Sequence, residues 1–278
     1  MRILQDQPDA APNPEQATGV VGEVLQERSF ASKPALSRGA YQLRFAESRE
    51  DLEAAFRLRF IVFNLELNEG LESAYATGYD TDEFDKTCDH LIVEHRPSRQ
   101  VVGTYRLQTG RVAARNLGYY SAREFDFSPY EPIRDSMVEL GRASIHRNYR
   151  SFEVLTLLWR GIASYALQRN ARYLIGCSSL TSQCPQEGSD MYWRLREFLV
   201  EPVLRTSPRP GFAIPISAAI REMPRINPPR LLRSYLSIGA QICGEPAMDR
   251  EFKTIDFLTL LDLTKVCSSV RFRFLRNE

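Results

Sequence analysis

Glu139 and Arg142 lie three residues apart in Met137-Val138-Glu139-Leu140-Gly141-Arg142-Ala143-Ser144-Ile145, a segment whose Val, Leu, Ala and Ile otherwise read as a buried strand. An acid and a base placed there need partners or a substrate, because burying an unpaired charge is very costly. Side chains alternate faces along a regular strand, so these two would point to opposite sides. Gly141 between them permits a bulge that re-aims one of the two. A strand bulged or splayed near Gly141 exposes free backbone groups to an extended, amide-bearing ligand. Glu139 in such a cleft suits a general base that takes a proton from an ammonium nucleophile. The alternative is a structural ion pair with Arg142.

Other charges stand in unexpected places. At ~100° per residue, Leu52, Ala55, Phe56 and Phe63 share one helix face, and Arg59 falls in its middle while Arg57 points away. Arg59 is either a snorkelling residue at the edge of the stripe or an inward guanidinium held by carboxylates or a ligand. Carboxylates are near in Tyr79-Asp80-Thr81-Asp82-Glu83-Phe84-Asp85. Such a run is either a solvated loop or an ordered one neutralised by a cation. Joined to Arg59 it would suit a zwitterion such as an amino acid. Arg106 is a further charge in the strand-like Gly103-Thr104-Tyr105-Arg106-Leu107, where an exposed sheet position explains it equally well.

The elements that must position these residues follow from periodicity and punctuation. Residues 1–38, rich in Ala, Pro, Gln, Glu and Ser, read as a flexible arm. Tyr41–Phe45 alternates like a strand. Ser48 and Asp51 form a capping-box-like start for a helix to about Phe63. Residues 90–95 and 101–108 read as a hairpin, and residues 152–168 as a well-buried helix. A short strand over 173–177, a helix over 190–200, a Pro-dense stretch over 202–229, a helix over 231–238 and a last strand over 254–261 complete the pattern. Strands mixed with helices around one hairpin point to a single α/β domain with a mixed sheet over 39–265, followed by a tail over 266–278.

Composition narrows the class. At 278 residues and 43% hydrophobic, the chain can bury a real core, and its net charge of +1 gives no global nucleic-acid signature. No apolar run approaches the roughly 20 residues of a membrane span, and the N-terminus has no secretory h-region. Five Cys without a CxxC pair read as reduced thiols of a cytoplasmic protein, and three His without metal spacing imply no metal site.

Several segments carry a family resemblance. Val138 to Arg150 with Leu157-Leu158-Trp159-Arg160-Gly161-Ile162-Ala163 resembles bacterial ornithine-lipid N-acyltransferases and hemolysin-like acyltransferases of the GNAT superfamily. The likeness continues through residues 88–93, 102–107 and 119–126, then 176–179, 228–240, and Asp249, Phe252 and Asp256, so it covers roughly residues 41 to 265. The same charges are more distantly similar to acyl-homoserine lactone synthases, on Arg59 with Phe63, Asp82 with Asp85, Arg106, and Glu139 with Arg142.

The resemblance implies a GNAT-like, largely antiparallel mixed sheet flanked by helices. It implies N-acyl transfer of a long-chain acyl group from acyl carrier protein to the α-amine of an amino acid, ornithine or a relative, giving an N-acyl amino acid or lyso-ornithine lipid. Glu139 would be the base, directly or through a water. Arg59, Phe63, Asp82 and Asp85 would shape the acceptor pocket, supported by Arg106 and Arg142. Acetyl-CoA enzymes of the superfamily carry a Gly-rich pyrophosphate loop before the main helix. Here Arg147-Asn148-Tyr149-Arg150-Ser151-Phe152 contains no Gly, which favours a phosphopantetheine thioester on a carrier over CoA. Ser144, Arg147 and Arg150 would meet the donor, with Arg169 and Arg172 adding charge for an acidic carrier. Leu155, Leu158, Trp159 and Ile162 read as core rather than acyl tunnel. No Trp follows the first helix near residues 64–70, which argues against an S-adenosylmethionine-derived acceptor. An amphiphilic product is compatible with peripheral membrane contact. The alternatives are a CoA-dependent acetyltransferase for a small amine and a non-catalytic module that binds acyl carrier protein.

Overall fold

Alternating residues build the sheet of this computed structural model, which describes residues 35–217, 227–268 and 272. The strands are β1 (Leu36–Arg38), β2 (Tyr41–Phe45), β3 (Asp89–His95), β4 (Gln100–Thr109), β5 (Met137–Ile145), β6 (Tyr173–Leu180), β7 (Gln241–Ile242), β8 (Ala247–Asp249) and β9 (Thr254–Asp262). Their order is β1-β2-β3-β4-β5-β6-β9-β7, with β8 also pairing β9. Every pairing is antiparallel except β5 with β6. β1 falls within the residues assigned to the arm, because Leu36–Arg38 find pairing partners on β2.

The longer helices are α1 (Arg49–Phe60), α2 (Phe152–Gln168), α3 (Pro185–Leu195) and α4 (Arg230–Ser237). The Ser48–Asp51 capping box forms as the spacing predicts. α1 does not simply stop near Phe63. It widens into a π-helical segment, Ile61–Glu66, in which the Leu67 amide donates to the Val62 carbonyl. α3 begins five residues before the expected start, since Pro185 occupies the first turn, where its missing N–H costs nothing. Residues 218–226 of the Pro-dense stretch, and all of 269–278 except Phe272, lie outside the described residues.

The two sheet faces bury different partners. Leu91 and Val93 of β3, Tyr105 and Leu107 of β4 and Val138 of β5 pack under α2 against Val154, Leu158 and Ile162. A Cβ on Gly161 would lie 2.8–2.9 Å from the Leu43 and Leu91 side chains, so glycine sets how closely α2 approaches the sheet. Ile92, on the opposite face, meets Leu52, Ala55 and Phe56 of α1. The even-numbered residues of β4, Arg106 and Gln108, therefore face the α1 side, where the polar cluster gathers.

Candidate active site

The expected irregularity of β5 is present, with one change of residue. Arg106 pairs with Gly141 and Thr104 with Ser144, so three steps on β5 meet two on β4. The residue in the left-handed region is Arg142, at φ +51°, rather than Gly141. Ion pairs hold it there: Arg142 Nη2 donates to Asp82 Oδ2 at 2.7 Å, and Nε lies 3.3 Å from Asp80 Oδ1. Its guanidinium also lies over the Phe252 and Tyr120 rings, at 4.3 and 4.7 Å from their centroids. The bulge thus turns Arg142 toward the side of the sheet that carries Glu139.

β5 and β6 fork at the same place. Their parallel pairing ends at Glu139–Ile175. A Cβ on Gly176 would sit 2.2 Å from the Leu140 carbonyl oxygen, so only glycine lets the strands meet at the apex. Beyond it, Leu140–Ile145 line a cleft of about 550 Å³, which also takes in Phe63, Arg106, Glu139, Cys177 and Phe252.

Glu139 is buried beside this fork and is not half of an ion pair with Arg142. Its carboxylate accepts from Gln108 Nε2 at 2.6 Å, from the Tyr120 amide at 2.9 Å and from the Ser121 amide at 2.8 Å. Three donors fix its plane and leave about one of four acceptor sites free for a proton or water. Gln108 was missed by sequence reasoning, although a polar residue inside an apolar strand is a signal. The two amides carry no side-chain signal at all.

Arg59, Asp82 and Asp85 do come together, but one layer behind the cleft. Arg59 donates to Asp80 at 2.6 Å and to both Asp85 oxygens at 2.8 and 3.0 Å. Arg106 donates to Asp82 and Asp85 at 2.5 and 3.0 Å. Burial pushes the Asp82 and Asp85 carboxyls up, yet the guanidinium groups outweigh it and hold both below the usual range. Three arginines and three aspartates therefore neutralise one another. Arg59, Asp82 and Asp85 do not line the cleft, so their placement is that of a brace, whereas Phe63, Arg106 and Arg142 do line it.

Of the residues expected to meet the donor, Ser144 and Arg150 line the cleft, and Arg150 pairs with Glu66 at 2.6 Å. Arg147 is exposed in the turn before α2 and is not a lining residue. Arg169 and Arg172 do not join them. They follow the C-terminal end of α2, roughly 25 Å from its start, and pair with Asp89 and Asp262. Leu158 and Ile162 are core, as expected, while Leu155 reaches the cleft. Trp159 reaches a side cavity of about 50 Å³ between the forked strands.

The cleft floor holds groups without a sequence-based role. Glu69, Asp249 and Asp256 line it, with Glu124 buried behind them. Burial first, then Asp256 and Asp249, pushes the Glu124 carboxyl well up. Burial, then the Asp249 charge, raises Asp256 to about 7. Burial, then Glu124 and Asp256, raises the Cys177 thiol, which removes the thiolate a nucleophilic cysteine needs.

The chain has relatives among known proteins. Residues 58–160 match the acetyltransferase (GNAT) domain. The chain is 31% identical to an L-ornithine N(alpha)-acyltransferase of Brucella abortus (strain 2308), over 83% of this chain and 87% of that one. It is also 31% identical to one of Rhizobium meliloti (strain 1021), over 81% of each. FeeM, an N-acyl amino acid synthase from uncultured soil microbes, shares the fold at TM-score 0.50 and 10% identity, over 84% of this chain and 96% of that one. The chain belongs to the GNAT acyltransferases, in the family of the L-ornithine N(alpha)-acyltransferases.

Proposed function

We propose that this enzyme transfers a long-chain acyl group from a phosphopantetheine thioester to the α-amine of ornithine. The observation that carries the reading is Glu139, fixed by Gln108 and two backbone amides at the apex of the β5–β6 fork. The acceptor's ammonium gives a proton to Glu139, directly or through a water. The freed amine attacks the thioester carbonyl carbon, and the β6-facing edge of β5 beyond Leu140, where the parallel pairing has ended, supplies donors to the oxyanion. Collapse forms the amide, breaks the C–S bond and releases the carrier thiol. The net products are the N-acyl amino acid, the thiol and one proton. No acyl-cysteine is needed, in keeping with the raised thiol of Cys177.

The splayed edge of β5 suits a pantetheine arm, whose amides extend like a strand. Apolar residues along the cleft, Leu155 and Leu231 among them, suit the acyl chain. Acyl carrier protein is the donor this reading favours, met by Arg147 and Arg150 at the mouth; CoA is the alternative. Arg59, Asp80, Asp82 and Asp85 act by holding Arg106 and Arg142 in place. Among the described residues no helix is long and apolar enough to cross a membrane; we place the reaction in the cytoplasm, with peripheral contact at the inner face of the membrane for product release. The test is to incubate the purified chain with palmitoyl-acyl carrier protein or palmitoyl-CoA and a panel of amino acids, and to analyse products by mass spectrometry. N-acylornithine is expected, formed faster from the carrier thioester. The absence of any N-acyl product with either donor contradicts the reading.

A further inference from the structure

The carboxylates on the cleft floor face a different problem from those of the brace. Glu69, Glu124, Asp249 and Asp256 are all buried, at 6%, 2%, 6% and 5% exposure. Among the described residues, none of the four forms an ion pair with a Lys, Arg or His. They come from three parts of the chain, the loop after Ile61–Glu66, the segment between β4 and β5, and the β8–β9 hairpin that carries both Asp249 and Asp256, so no single turn accounts for the meeting of all four. Their hydrogen bonds cover part of the need: Thr181 donates to Glu69, Thr254 to Asp256 at 3.0 Å, and the Glu251 and Phe252 amides to Asp249 at 2.8 and 2.9 Å. Glu124 stands apart. Its Oε2 is buried with no hydrogen-bond partner, and an oxygen of its carboxylate lies within 4.8 Å of Asp256 and of Cys177, both of which line the cleft.

We infer that this floor is the subsite for the side-chain ammonium of the acceptor, and that it makes the enzyme selective for diamino acids. The inference rests on the proposed acyl transfer to an amino acid and adds the group that chooses which one. A buried carboxylate lacking a cation is stabilised by an ammonium, which brings three donors and one positive charge. Asp256, which lines the floor, would take one of those donors directly, and Glu124, one layer behind it, would hold the charge through its contact with Asp256. The Arg59–Asp85 brace cannot serve, because its charges are already matched. A divalent metal is the competing occupant of the Glu124, Asp256 and Cys177 trio, and elemental analysis distinguishes the two.

The test compares ornithine with norvaline, which has the same carbon chain without the terminal amine. kcat/KM is measured for the full chain with saturating palmitoyl-acyl carrier protein and again with palmitoyl-CoA, and binding of each amino acid is measured by calorimetry. A site built around a buried charge rejects the analogue lacking its partner by on the order of 10²-fold or more. Glu124→Gln and Asp256→Asn should each move the ornithine-to-norvaline ratio toward one, mainly through the ornithine KM. Equal use or equal binding of the two amino acids by the unmodified chain overturns the inference, and needs no variant to fold. So do variants that keep the full ratio, or a stoichiometric divalent ion found by elemental analysis. The proposed reaction fails separately, if neither amino acid is acylated from either donor; calorimetry then still decides the subsite.

Discussion

Gln108 and Glu139 stand opposite each other across the β4–β5 ladder, and the Gln108 amide donates to Glu139 Oε2 at 2.6 Å. The pair orients a carboxylate that would otherwise be held only by the Tyr120 and Ser121 amides. Gln108→Leu removes one donor of three and leaves the other two. We expect kcat to fall by about 10-fold, well short of the loss on removing a general base, with little change in the acceptor KM. A Gln108→Leu enzyme with unchanged kcat would show that this contact positions nothing.

The brace behind the cleft predicts a stability phenotype. Arg59→Met leaves Asp80 and Asp85 buried without their main counter-charge, and breaking a buried pair on one side costs about 3–5 kcal/mol. Thermal unfolding should drop by several degrees. A melting temperature equal to that of the unmodified chain would contradict the role assigned to Arg59.

Gly176→Ala probes the fork itself. The added Cβ would meet the Leu140 carbonyl, a backbone atom that cannot swing aside. We expect about 1–3 kcal/mol of lost stability, as for overpacking elsewhere, together with lower kcat because β5 beyond Leu140 is displaced. A fully active, fully stable variant would mean that the apex does not set the width of the cleft.

The two carboxylate groups predict opposite pH behaviour. Asp256 is raised from 3.8 to about 7, by burial and then by Asp249. Between those values the folded chain keeps a proton that the unfolded chain has released, so stability from this group falls as pH rises from about 4 to 7. The slope approaches about 1.4 kcal/mol per pH unit for one proton. Asp82 and Asp85 are held below their usual range by the arginines. Their stabilisation is present above about 4 and is lost as pH falls further. Without acceptor, Asp256→Asn should therefore melt progressively higher than the unmodified chain as pH rises from 4 to 7. Parallel melting curves would contradict the raised Asp256.

What was legible in the sequence was what broke a pattern. Arg59 in an apolar helix face, Arg106 in a strand and Glu139 with Arg142 around Gly141 each violated the period of its element, and each lies in or against the site. The bulge was legible too, though a φ of +51° at Arg142 is paid for by ion pairs with Asp80 and Asp82 that lie about sixty residues away in the chain. The amides of Tyr120 and Ser121 were not legible, because every residue but proline has one. Glu69, Glu124, Asp249 and Asp256 carry no charge pattern in sequence, and only the fold, which brings the loop after Ile61–Glu66 and the segment between β4 and β5 against the β8–β9 hairpin, makes a cluster. Arg169 and Arg172 misled for the converse reason: near Arg150 in sequence, they are separated from it by the length of α2.

Glu139 is the group proposed to take the acceptor's proton. The direct measurement is the single-turnover rate of N-acylornithine formation by the unmodified chain and by Glu139→Gln, each saturated with palmitoyl-acyl carrier protein. The predicted result is a fall of about 10²–10⁴-fold in the chemical step, with ornithine affinity retained. A Glu139→Gln enzyme that forms product at the unmodified rate would contradict the mechanism.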